Sequence, residues 1–476
     1  VAKRTKIVAT LGPATDRPGV LDAMLRAGAD VVRVNFSHGA AEDRRRRVRE
    51  VRAAAERVGR DVAILGDLQG PKIRVERFAQ GPVELADGAA FALDAALAPD
   101  AGDAQAVGVT YKDLPRDVGP GDLLLLNDGA IMLEVERVAG SRVECRVRVG
   151  GLLSDAKGIN RQGGGLSAGA LTDKDREDIR AAAELDLDFL AVSFPRAAAD
   201  MDEARRLVHE AGSRALLVAK IERAEAVERI EEIARASDVV MVARGDLGVE
   251  IGFAEVPGVQ KNIIRVARAL NRIVITATQM MESMIHEPIP TRAEVSDVAN
   301  AVIDGTDAVM LSGETAVGRY PVKAVEAMAS ACVSAEKQRS TSSSHHRMDD
   351  VFERTDEAIA MATMYTANHM DVKAIVALTE SGSTALWMSR IRSGIPIYAF
   401  SRSESTRRRV ALYRGVYPVA FDVLADAGGA GFRAISRVLV ERGLAAPGDR
   451  VLLTEGHAAG VAGGTNTMRI LAVEAP

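Results

Sequence analysis

Eight times along the chain a short apolar run of β type is followed by a segment of helical period: "TKIVATLG" (5–12), "VVRVNFSH" (31–38), "VAILGDLQG" (62–70), "DFLAVSFP" (188–195), "ALLVAKIE" (215–222), "DVVMVARGD" (238–246), "RIVITATQM" (272–280) and "DAVMLSGET" (307–315). Strands this apolar need both faces covered, and intervening helices can do that. Eight β-then-α units in order fit a closed (β/α)8 barrel, with a large doubly wound sheet as the other arrangement. Polar residues end nearly every run. A barrel gathers such residues in one mouth, whereas an open sheet concentrates them at one switch point, so a TIM barrel is the expected α/β fold.

One unit is interrupted. Residues 72–167 lack helical period and carry short alternating segments such as "DLLLLND", "IMLEVERV" and "VECRVRVGG" with Gly-rich turns, which predicts an inserted small β-barrel domain. The helical pattern resumes at "LTDKDREDIRAAAEL", with Thr172 as cap and acids in the first turn. An insertion leaving the catalytic end of a barrel is placed to act as a lid. Beyond a polar linker, "SSSHHRMDD" (342–350), helix and strand patterns alternate again. The expected division is a barrel over 1–71 and 168–341, the lid over 72–167, the linker over 342–350, and a C-terminal α/β open-sheet regulatory domain over 351–476.

With 476 residues, 47% apolar content and a formal charge of −5, the chain has room for two or three domains and is too balanced to bind nucleic acid by bulk electrostatics. The run "RRRR" at 44–47 lies among alternating acids in a helical stretch and reads as a solvated helix face. No 18-residue uncharged apolar stretch occurs, and "VAKRTKIVATLG" enters a strand pattern without a signal-type apolar region, so a cytoplasmic protein with no membrane partner is expected. Cys145 and Cys332 are far apart in apolar contexts, which leaves neither a disulfide framework nor a thiolate metal site.

In "VRVNFSH", period 2 puts Arg33, Asn35 and Ser37 on one face, against Val32, Val34 and Phe36 on the other. In "VAKIERAE", Lys220 and Glu222 share a face at a strand tip, and the next strand ends in "ARGDLG" with Asp246. A buried Lys–Glu pair closing a barrel end is one reading. The other is an open Mg²⁺ site, because that ion takes one or two protein carboxylates and completes its shell with substrate oxygens and water. Thr278 adds a hydroxyl at the seventh tip, and "LSGET" adds Ser312 and Glu314 at the eighth. A cation-rich mouth with a divalent metal, and neither a Walker A sequence nor a kinase Gly-rich loop, points to phosphoryl transfer on another scaffold.

"TKIVATLGPAT", "RVNFSHG", "AKIERAEAVERIEEI", "MVARGDLGVEI" and "ATQMMESMIHEPIPTRAEVSDVANAVIDGTDAVMLSGETA" together resemble the motifs of the pyruvate kinase family, in order and densely across the barrel. The resemblance implies transfer of the phosphoryl group of phosphoenolpyruvate to ADP, the last step of glycolysis. It implies that Glu222 and Asp246 bind Mg²⁺ (or Mn²⁺), that Lys220 neutralises the phosphoryl group and the developing enolate, and that Arg33 holds phosphate. Gly245, Asp246 and Thr278 belong to substrate binding, with Thr278 and Ser312 on the proton path. Asn35, Ser37, His38, Arg74 and Lys157 match nucleotide or phosphate contacts.

Asn35, Ser37, Asp67 and the Leu68 carbonyl match the oxygen cage that holds K⁺ in K⁺-dependent members, but Lys72 stands where those members usually carry glutamate. A tethered ammonium could reach the same acceptors, so K⁺ is not expected to be required. In "LTESGST", Thr379, Ser381, Gly382, Ser383 and Thr384 match a loop that holds an effector phosphate in the family, and Glu380 would repel a second phosphate. A sugar monophosphate or nucleotide monophosphate effector is therefore expected, together with a homotetramer. A catalytically inactive metabolite-sensing homologue and a metal-dependent 2-oxo-acid aldolase-type barrel are the alternatives.

Overall fold

The computed structural model describes residues 3–342, 351–422, 431–456 and 463–475. Strands Lys6–Thr10, Val31–Asn35, Ala63–Asp67, Phe189–Val192, Leu216–Ile221, Val239–Ala243, Ile273–Ala277 and Ala308–Leu311 each lie parallel to the next. The ring closes where Lys6 pairs with Ala308 and Ala9 with Leu311. That closure excludes the doubly wound sheet.

Period 2 sorts each strand between two cores. In the first strand Ile7 and Ala9 pack outward with the helices, while Val8 points into the barrel with Val31, Phe189, Val218, Met241 and Met310. The inner core continues into Met364, Ile391 and Ile397 of the C-terminal region. One end of the barrel is thus plugged by apolar packing, and the polar strand tips collect at the other. Thr172 caps helix Asp173–Glu184, its hydroxyl accepting from the Asp175 N–H at 3.1 Å.

The inserted segment forms an open six-stranded sheet, Ile159–Arg161, Leu123–Leu126, Ile131–Ala139, Arg142–Val149, Ala90–Asp94 and Ala106–Gly108 in spatial order, with a separate pair, Val83–Leu85 and Gly151–Leu153. The small β-barrel domain expected for the insertion is thus an open half-barrel. The C-terminal sheet runs Val416–Ala420, Ile397–Ser401, Ala374–Leu378, Arg450–Gly456 and Thr465–Ala472, with the last strand antiparallel on the edge.

The arginine run sits in helix Ala41–Val58, but only part of it is solvated. Arg44 is buried, its guanidinium 4.8 Å from the Phe36 ring centre and paired with Asp178 at 3.3 Å, while Arg45, Arg46 and Arg47 pair with Glu184, Glu50 and Asp16. Both cysteines are free and buried. Among the described residues no helix is long and apolar enough to cross a membrane. Residues 343–350 of the expected linker lie outside the described residues.

Candidate active site

The third, fourth and fifth barrel strands are neighbours, so their tips converge on one spot. There the Lys220 ammonium lies 2.8 Å from Glu222 Oε1 and 3.3 Å from Asp67 Oδ1, and donates to Ser193 Oγ at 2.9 Å. Ser193 in turn donates to the Leu68 carbonyl at 2.7 Å. Arg33 Nε donates to Asp67 Oδ2 at 2.6 Å, and its Nη1 reaches Thr10 Oγ1 at 3.2 Å. Glu222 Oε2 accepts the Phe194 N–H at 2.9 Å. Two cations and two buried carboxylates are therefore locked by direct bonds, each in a single geometry.

The charge states follow from that packing. Burial by itself would depress the Lys220 ammonium, but the Asp67 and Glu222 carboxylates outweigh it and hold the lysine above its ordinary value, so it stays protonated. Burial opposes ionisation of Asp67 as well, and Lys220 and Arg33 reverse that, holding its carboxyl below the usual range. Burial pushes the Glu222 carboxyl up to about 7, with Asp246 and Asp67 acting the same way against Lys220. A site that strains to keep Glu222 ionised would gain from a further positive charge.

Asp246, in helix Arg244–Ile251 after the sixth strand, faces the Lys72 ammonium at 3.5 Å. In this structure the Lys72 ammonium lies on the Asp246 side of the mouth. Among the described residues its ion-pair partner is Asp246, while Asp67 is held by Arg33 and Lys220, and Asn35 Oδ1 accepts the Ser37 N–H at 2.9 Å. The Gly70-Pro71 turn, with Gly70 at φ 67°, carries Lys72 past the third strand's tip toward the sixth.

Thr278 and Gln279 both have left-handed backbones, φ 69° and 52°, and for a β-branched threonine that conformation is strained. The strain is held from outside. Gly245 N–H donates to Thr278 Oγ1 at 2.8 Å, and Arg244 reaches over to the Ala277 and Thr278 carbonyls at 3.2 and 2.7 Å while pairing with Asp297. Gly245 and Thr278 are thus bonded to each other. Ser312 precedes the one-turn helix Gly313–Ala316, and Glu314 turns inward to accept the Met281 and Ser312 N–H groups at 3.1 and 2.7 Å. Its carboxylate ties the seventh and eighth loops together.

Arg74 and Lys157 meet at the base of the insertion. The Arg74 guanidinium donates to the Ala156 carbonyl at 2.7 Å, and the Lys157 carbonyl accepts the Val75 N–H. His38 is exposed on the barrel rim, and no hydrogen bond or ion pair among the described residues joins it, Asn35 or Ser37 to that pair. In the C-terminal loop, Gly382 at φ 85° donates its N–H to Thr379 Oγ1 at 2.8 Å, and Ser381 and Ser383 lie 3.2 Å apart. Thr384 is buried, its hydroxyl bonded to Thr465 Oγ1 at 2.6 Å. Glu380 pairs with Arg402 at 3.3 Å.

Sequence reasoning missed Ser193 and Arg244. Ser193 follows the fourth strand in "AVSFP", where it looks like any small residue after a strand, and Arg244 precedes Asp246 in "VARGD". The available signal was position, since both stand at strand tips.

Two family models match the chain: "Pyruvate kinase, barrel domain" over residues 2–325 and "Pyruvate kinase, alpha/beta domain" over residues 357–471. The chain is 58% identical to pyruvate kinase II of Salmonella typhimurium and 56% identical to pyruvate kinase of Haemophilus influenzae, in each case across 99% of both chains. It is 40% identical to pyruvate kinase of Mycobacterium tuberculosis, across 99% of this chain and 98% of that one.

Proposed function

The chain belongs to the pyruvate kinase family, and from that premise we propose that its barrel mouth transfers the phosphoryl group of phosphoenolpyruvate to ADP, giving ATP and, once the enolate is protonated, pyruvate. The observation that carries the reading is Lys220, a protonated lysine pinned at the mouth by two buried carboxylates and Ser193, with Arg33 beside it. A loose phosphoryl-transfer transition state spreads charge over oxygens, and cations fixed in advance stabilise it without reorganising. Lys220 meets the phosphoryl oxygens and the developing enolate, and Arg33 holds the phosphate. Gly245 N–H and the Thr278 hydroxyl seat the carboxylate, and Thr278 or Ser312 hands the proton to carbon. Asn35, Ser37, His38, Arg74 and Lys157 serve the nucleotide, with the insertion folding over it.

Family membership implies a divalent metal, and the donor set fits one. Glu222 and Asp246 offer hard oxygens, and burial resists the Glu222 charge. When bound, Mg²⁺ or Mn²⁺ would neutralise phosphate charge beside these carboxylates. Turnover without K⁺ rests on Lys72 standing where K⁺-dependent members usually carry glutamate, its ammonium here facing Asp246. A monophosphate effector on Thr379, Ser381, Gly382 and Ser383, and a homotetramer, complete the reading.

The test is a coupled assay with phosphoenolpyruvate and ADP in tetramethylammonium buffer, with and without Mg²⁺ and K⁺. Turnover that needs Mg²⁺ but no K⁺ is expected. No turnover with both ions present would refute the reaction. A fall of more than about tenfold on withdrawing K⁺ alone would refute only the role of Lys72.

A further inference from the structure

Just past the fourth barrel strand the chain turns at Ser193 and Phe194, and Phe194 has φ 57°, a left-handed backbone that a bulky aromatic rarely adopts. Such strain persists only where the surroundings hold it. Here Phe194 N–H donates to Glu222 Oε2 at 2.9 Å, the Ser193 hydroxyl donates to the Leu68 carbonyl at 2.7 Å, and the Arg223 guanidinium stands 5.6 Å from the Phe194 ring centre. Gly70 packs against the same turn, so closely that a Cβ on it would meet the Ser193 Cβ at 2.7 Å. Adjacent residues of one strained turn thereby grip both Lys220 and Glu222.

An ammonium has three N–H donors, and Lys220 meets three acceptors: Glu222 Oε1 at 2.8 Å, Ser193 Oγ at 2.9 Å and Asp67 Oδ1 at 3.3 Å. Attraction to two carboxylates is strong but weakly directional, and by itself it would let the ammonium slide between them. Ser193 removes that freedom. Its oxygen lies nearer the Leu68 carbonyl, at 2.7 Å, than Asp67 Oδ1, at 3.4 Å, so its proton goes to Leu68 and only its lone pairs face the lysine. The residue is buried, which keeps bulk water from competing for that bond.

We propose that Ser193 is a positioning residue for phosphoryl transfer: it aims the Lys220 ammonium, and the turn it shares with Phe194 ties that aim to Glu222. This role rests on the transfer reaction proposed above. Without the hydroxyl the lysine charge stays in the mouth but loses its direction, so substrate binding should survive while the chemical step suffers.

The test measures kcat, KM for phosphoenolpyruvate and the thermal midpoint of the full-length Ser193→Ala protein with Mg²⁺ present. The expected result is a kcat lower by about 10–100-fold, a KM within about threefold of the parent and a midpoint within a few degrees. Ser193→Cys keeps an atom in that place and still donates weakly to Leu68, but a thiol accepts poorly from an ammonium. It should share the loss, and it carries the test if Ser193→Ala folds poorly. In a Lys220→Met background, Ser193→Ala should lower the remaining rate by less than about twofold, because the serine acts through the lysine. A kcat within about threefold of the parent in a folded variant, a loss confined to KM, or an equal fold-loss with and without Lys220 would each overturn the proposal. A parent protein without turnover would refute the transfer reaction, and the positioning role with it.

Discussion

Lys220 shows how one residue serves both folding and chemistry. Its ammonium compensates two carboxylates that are each about 1% exposed, so Lys220→Met removes a transition-state cation and leaves Glu222 and Asp67 with less cover. Asp67 keeps Arg33, and Glu222 can hold a proton, so the protein should fold with a lower thermal midpoint. Turnover should drop by orders of magnitude, since one such contact is worth about 3 kcal/mol or more in the transition state. Turnover within about tenfold of the parent would remove Lys220 from the mechanism. Thr278 is a second case. Thr278→Val keeps the β-branched shape but leaves the Gly245 N–H without its hydroxyl, at a cost of about 1–3 kcal/mol where that group is buried. Thr278→Ser keeps the hydroxyl, and should hold most of the stability and activity that Thr278→Val loses, as paired melting curves and rate measurements would reveal.

At the level of elements, the return of the insertion to the barrel is bolted to the loop that follows Glu222. The Arg223 guanidinium donates to the Leu166 carbonyl at 3.0 Å, the Glu225 carboxylate accepts the Gly165 N–H, and Glu250 accepts the Ala224 N–H at 3.0 Å while its own carbonyl takes the Gly163 N–H. Burial, opposed by the Ala224 bond and Arg223, pushes the Glu250 carboxyl up to about 7 from 4.5. A carboxyl whose folded value is raised contributes stability that is complete below 4.5 and is lost as pH rises through 7, because the folded state holds the proton longer. Glu250→Gln mimics the protonated form and keeps the carbonyl acceptor. Its thermal midpoint should match the parent near pH 4 and exceed it at pH 8, by a margin on the order of 1–3 kcal/mol. A constant difference across that range would show that Glu250 does not titrate there.

For the whole molecule, ion pairs carry unequal weight, and a buried one crosses the domain joint. Arg390 and Asp307 are each about 2% exposed and paired, and Asp307 also accepts the Val274 N–H at 2.9 Å. Arg390→Met strands a buried carboxylate and should cost about 3–5 kcal/mol, read as a fall in the calorimetric midpoint. The solvent-facing Arg402–Glu380 pair is the control, and Arg402→Met should cost about 1 kcal/mol or less. Equal losses would mean that burial does not set the strength of these pairs.

The amino-acid sequence by itself determined the barrel, because eight apolar runs separated by helical segments leave few ways to cover both faces of a parallel sheet. It also determined which side chains share a face at the strand tips, where period 2 set Arg33 apart from Val32 and Lys220 apart from Ile221. The final edge strand, Thr465–Ala472, escaped that reading because it is largely exposed and has no apolar alternation to betray it. What only the tertiary structure decided is pairing between residues far apart in the chain. Lys72 could reach for Asp67 or Asp246, five or 174 positions away, and the path of the Gly70-Pro71 turn selects the distant one. Ser193 took its role from the neighbouring strands that bring Lys220 and Leu68 to its hydroxyl, and Arg44 left the solvated face because Phe36 and Asp178 arrive beneath it. Local pattern fixes which way a side chain points, while the long-range contacts that settle its partner depend on three-dimensional packing, which no window of sequence contains.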